Sequence, residues 1–75
     1  MHDKIVKYLK AAYRYYKEPE EPELMSDYAW DRLAKELNDN YDAIESPLKK
    51  YLVKDELFTA HHLNWRLIME DLQND

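Results

Sequence analysis

The stretch "YRYYKEPEEPELMSDYAWDRLAKEL", Tyr13 to Leu37, concentrates side chains able to recognise another molecule. Tyr13, Tyr15 and Tyr16 come first; Asp27, Trp30 and Asp31 open the helical segment that follows. Aromatic faces attract cations, and carboxylates accept hydrogen bonds from groups such as hydroxyls. Asp27 stands three residues before Trp30 and four before Asp31, so on a helix the three share one face. The same residues also have a scaffold reading. In it Tyr13 and Tyr16 pack, Trp30 anchors a small core, Asp27 faces a helix dipole and Asp31 is solvated. No metal site is expected. His61 and His62 are adjacent, diverge by about 100° on a helix, and lack the i,i+4 histidine partner of a helical metal site. No catalytic residue is assigned, because Asp27 and Asp31 have neither a nucleophile nor an activated water to work on.

The elements that must position these residues read as helices. A first helix over 3–16, capped by Asp3, carries Ile5, Leu9, Ala12 and Tyr16 as one apolar stripe, widened by Val6, Tyr8 and Tyr13. Pro19 stops it, since a proline pushes the preceding Glu18 toward extended geometry. Residues 17–25 form a stiff acidic connector with Pro19 and Pro22. Ser26 then caps a second helix over 27–38, with Trp30, Leu33, Ala34 and Leu37 facing inward and Asp31 pairing with Lys35 on the wet side. "NDNYDAIE" suits a loop or a helical turn. Ser46 and Pro47 start a third helix, 47–56, with Leu48, Tyr51, Leu52 and the following Leu57 as candidates to pack inward. Thr59 caps a fourth, 60–73, with a wide apolar face from Leu63, Trp65, Leu67, Ile68, Met69 and Leu72. No alternating strand pattern appears. The expectation is a single all-α domain of four helices spanning 1–75.

Read as a unit, the opening stretch resembles the small helical N-terminal subdomain, domain Ia, of NAD+-dependent bacterial DNA ligases. The matching pieces are "YRYY" (13–16), "PEL" (22–24), "SD" (26–27), "WDRL" (30–33) and "KEL" (35–37), about a third of the chain. In that family the subdomain closes over the nicotinamide mononucleotide (NMN) half of NAD+. The resemblance therefore implies an NMN- or NAD-binding site in which Tyr15 and Tyr16 face the nicotinamide or ribose, and Asp27, Trp30 and Asp31 supply the second helix's share. Trp30 stands where the family usually has Tyr, and the connector is one residue longer than its common form. The family's Lys-x-Asp-Gly nucleotidyltransferase motif is absent. The chain is thus expected to bind rather than catalyse.

Composition narrows the field further. Glycine is absent, which excludes Rossmann fingerprints, phosphate loops and glycine-dependent nucleophile elbows. Cysteine is absent too, so neither a disulfide nor a thiolate zinc site holds this small core together. The net charge of -5, from 16 acids against 11 bases, argues against non-specific duplex binding. No segment is apolar for long enough to span a membrane, and the N-terminus lacks a signal peptide's apolar core, so a cytoplasmic setting is expected. Two functions follow. One is a non-enzymatic module recognising a nicotinamide nucleotide. The other is a phage-type accessory or inhibitor that uses the helical scaffold to dock a protein partner.

Overall fold

The computed structural model describes residues 1–59 and 63–73. Three α-helices and two short 3-10 turns form it: α1 (His2–Lys17), α2 (Asp27–Asp39), turns at Tyr41–Ala43 and Pro47–Tyr51, and α3 (Trp65–Gln73). The described residues include no strand, and the all-α class holds. None of the helices among them is long and apolar enough to cross a membrane.

The helix α1 starts one residue before Asp3. Asp3 therefore lies in the first turn, where its charge suits the dipole, and is not the cap. Met1 O accepts from the N–H groups of Lys4 and Ile5. Ile5, Tyr8, Leu9 and Ala12 are buried along one face. The helix ends at Lys17, since Glu18 before Pro19 has φ -132° and ψ 57°. Ser26 caps α2 as its residue type dictates, with Oγ accepting from the Ala29 N–H at 3.1 Å. Ala34 and Leu37 are fully buried against α1. The Lys4–Glu36 ion pair joins the start of α1 to the end of α2, and Tyr8 stacks on Trp30 nearer the middle. The two helices thus form an antiparallel hairpin.

Beyond α2 the chain departs from the four-helix expectation. The helix expected over 47–56 is only the 3-10 turn Pro47–Tyr51, started by Ser46 Oγ accepting from the Leu48 N–H at 3.1 Å. Leu52 already turns extended (φ -93°, ψ 137°), and Asp55 takes a left-handed φ of 68° that an α-helix does not accommodate. Burial is the physical reason. Leu48, Leu52 and Leu57 all reach the core, which one helix would not allow, since five residues at about 100° each would turn Leu57 about 140° away from Leu52. Two successive turns, closed by the Glu56 N–H on Val53 O at 2.9 Å and the Thr59 N–H on Glu56 O at 3.3 Å, form a strap instead. Side chains of α1 and α2 hold the strap. Asn38 Oδ1 accepts from the Asp55 N–H at 2.6 Å, and the Tyr8 hydroxyl donates to Leu57 O at 2.7 Å.

The last helix begins at Trp65 rather than Ala60; of the segment expected to be helical, 60–62 lies outside the described residues. Thr59 does not cap it, because its hydroxyl instead donates to Glu56 O in a turn. Asn64 takes the capping role: its side-chain oxygen accepts from the Leu67 N–H at 3.4 Å, and its carbonyl from the Ile68 N–H at 3.1 Å. Trp65, Ile68 and Leu72 are buried, whereas Leu67 points outward with about half its surface exposed (49%). Tyr13 meets Trp65 edge-on, and Tyr51 with Lys50 grips Asp71 near the far end of α3.

Candidate functional site

The hairpin of α1 and α2 opens at one end into a cleft of about 230 Å³. Tyr15 and Tyr16 line it from the last turns of α1, with Ala11 and Ala12 one turn earlier. Asp27, Trp30 and Asp31 line it from the start of α2. All five residues marked out by the sequence therefore border one space. Glu23 and Met25 of the connector complete it.

Local structure explains the convergence. Ala11 and Ala12 are small, so the hairpin leaves room between their turn of α1 and Trp30. The Ser26 cap fixes where α2 begins, and hence makes Asp27 its first residue, with Trp30 and Asp31 about one turn on. The Trp30 ring stacks on Tyr8 with centroids 5.0 Å apart and planes 13° from parallel. Its indole N–H donates to Tyr8 O at 3.2 Å. Trp30 is thus both core anchor and cleft wall, and the two readings of this residue combine. Tyr16 is half-buried against the core, whereas Tyr15 is exposed and meets it edge-on at 5.0 Å. The connector is drawn back by Arg14, whose guanidinium donates to Pro22 O at 3.0 Å and pairs with Glu18 at 3.4 Å.

The charge of the cleft is of one sign. Glu23, Asp27 and Asp31 stand around it, and none of the described residues lining it is basic. The ion pair expected between Asp31 and Lys35 is not formed, because Lys35 reaches forward to Asp39 at 2.7 Å. Exposed pairs one turn away in either direction differ by only a few tenths of a kcal/mol, too little for sequence spacing to decide. Among the described residues neither Asp27 nor Asp31 has an ion-pair partner. No group of three or more His, Cys, Asp or Glu among them could hold a metal ion, so the three carboxylates surround the cleft rather than converge. His61 and His62 lie outside the described residues. Under the cleft, burial raises the Tyr8 hydroxyl well above its ordinary pKa, with a smaller contribution from Tyr16. It stays neutral and keeps donating to Leu57.

Glu23, Met25 and the two alanines carried weaker signals. Ala11 and Ala12 precede Tyr15 and Tyr16 by one helical turn, which puts them on the same face. Glu23 reads as part of a solvated acidic run and is itself exposed, and the Arg14–Pro22 hydrogen bond ties the neighbouring residue to α1.

Aromatic walls ringed by hydrogen-bond acceptors suit a flat cation carrying hydroxyl groups. No known protein family, curated protein or solved structure matches the chain.

Proposed function

We propose that this chain is a non-catalytic binding module whose α1–α2 cleft takes the nicotinamide end of a nicotinamide nucleotide such as NMN or NAD+. One observation carries the reading: Tyr15, Tyr16, Asp27, Trp30 and Asp31, set on two helices and separated by an acidic connector, border a single cleft. Its dimensions agree with a partial ligand. Pockets enclosing drug-sized molecules run to roughly 300–1,000 Å³, so about 230 Å³ holds a ring and its sugar rather than a dinucleotide. The resemblance to the NMN-binding subdomain of NAD+-dependent DNA ligases rests on the same residues and supports the same ligand. Titration with NMN and NAD+, followed by backbone amide NMR shifts, tests it. Localised shifts over residues 11–31 are expected, and their absence at millimolar ligand overturns the proposal.

A protein-docking role is favoured by a different observation. Tyr28 is the most exposed large hydrophobic side chain on α2 (71%), and Leu24 of the connector is also about half exposed (51%). Single exposed apolar residues are ordinary. These two adjoin in sequence the cleft residues Glu23, Met25 and Asp27, and together they give a protein partner something to cover. If the nucleotides leave the spectrum unchanged while a partner protein perturbs Leu24 and Tyr28, this second reading replaces the first.

A further inference from the structure

The cleft's charge bears on which nicotinamide compound it accepts. A phosphate monoester carries about -1.5 to -2 at pH 7 and offers mainly acceptor oxygens. Carboxylates are acceptors as well, so Glu23, Asp27 and Asp31 repel such a group and have no proton to offer it. Basic side chains would normally hold a phosphate, and no described residue lining the cleft is basic. Arg14 is turned to Pro22 and Glu18 instead. The start of α2 is the remaining candidate, because helix N-termini attract anions. That end amounts to about half a positive charge, and the full negative charge of Asp27 stands on its first residue. Two of its N–H groups are also occupied, Ala29 by Ser26 Oγ and Trp30 by Ser26 O.

We infer that the cleft selects phosphate-free pyridinium nucleosides, nicotinamide riboside being the simplest, over their phosphorylated forms. This rests on the nicotinamide reading of the cleft and adds the direction of discrimination. The riboside brings a cationic ring for the aromatic walls and hydroxyl donors for the carboxylates. The 5′-phosphate of NMN brings a charge that the rim opposes.

The two compounds differ only by that phosphate, so paired calorimetric and NMR titrations of the intact chain isolate it. At low salt the riboside is expected to bind on the order of threefold to tenfold more tightly than NMN, the range of a few exposed charge interactions. The gap narrows at 1 M salt, where the screening length falls to about 3 Å. Glu23→Gln, which removes one of the three charges around the cleft, narrows it too. The dihydro-riboside, whose ring is neutral, binds more weakly than the oxidised form. Equal or tighter binding of NMN, with shifts at residues 11–31 from both compounds, overturns the selectivity and leaves the ring site standing. No shift from either compound removes the nicotinamide reading itself, and the selectivity with it.

Discussion

Tyr8 serves two neighbours at once. Its ring supports Trp30 at the cleft, and its hydroxyl holds the strap through Leu57 O at 2.7 Å. Removing only the hydroxyl leaves a buried carbonyl without its donor, which costs about 1–3 kcal/mol. Tyr8→Phe is therefore expected to lose about that much stability in urea denaturation at neutral pH. Ligand affinity should stay within about twofold, because the stacked ring remains. Asp55 shows a different economy of side chains. Its left-handed φ of 68° is a conformation that glycine adopts freely, and the chain has no glycine. Aspartate tolerates this region better than most residues, and here Asn38 holds it with two hydrogen bonds, at 2.6 and 3.3 Å.

At the level of elements, the start of α2 ties stability to the cleft. Ser26→Ala removes the side-chain cap, a change that costs about 0.5–2 kcal/mol. The first turn it frays carries Asp27 and leads into Trp30 and Asp31. Weaker binding is thus expected together with lower stability, and amide exchange at residues 27–30 should rise more than over the rest of the helix. The clasp on α3 titrates instead. Tyr51 donates to Asp71, and this hydrogen bond, followed by desolvation and the charges of Asp71 and Glu70, raises its pKa from about 10 to about 12. A group whose pKa rises on folding stabilises the fold fully below its unfolded value and loses that contribution as pH climbs through the folded one. Asp71 has the opposite sign: hydrogen bonds from Tyr51 and Lys50 lower its pKa, so its contribution is lost in acid. Urea midpoints measured against pH should decline between about 10 and 12, and Tyr51→Phe should flatten part of that decline. Tyr8, raised by burial, contributes a decline of the same sign.

These elements were not equally legible in the sequence. The apolar stripes, the Ser26 cap and Pro19 placed α1 and α2 to within a residue, because each of those signals is local. The five cleft residues were picked out together by the resemblance to the ligase subdomain; helical spacing groups Asp27, Trp30 and Asp31 but not the adjacent Tyr15 and Tyr16. The stretch after Asn40 was not. Ser46 and Pro47 correctly marked a start, but the 3-10 turn gives way to a strap of two turns because Leu52 and Leu57 are both buried in the core with the hairpin. Local propensity carries no record of that partner. Glu23 is exposed, as the acidic run reads, but its place beside the cleft goes with Arg14 holding the neighbouring Pro22, a contact that local spacing does not signal.

The whole molecule has a radius of gyration of 11.5 Å and no cysteine to reinforce it. At roughly 0.05–0.15 kcal/mol per residue, 75 residues give a stability of about 4–11 kcal/mol. The loss expected from Tyr8→Phe is a sizeable share of that margin. One feature equips the protein to report on itself. Its two tryptophans lie in different settings: Trp30 borders the cleft, while Trp65 is buried against the far side of α1 beside Tyr13. Their fluorescence therefore forms two separable optical channels. In Trp65→Phe, a pyridinium ligand stacking on the cleft wall should quench the remaining emission in a saturable way. In Trp30→Phe, emission should ignore the ligand and follow only denaturation, so occupancy and unfolding can be recorded without attaching any label.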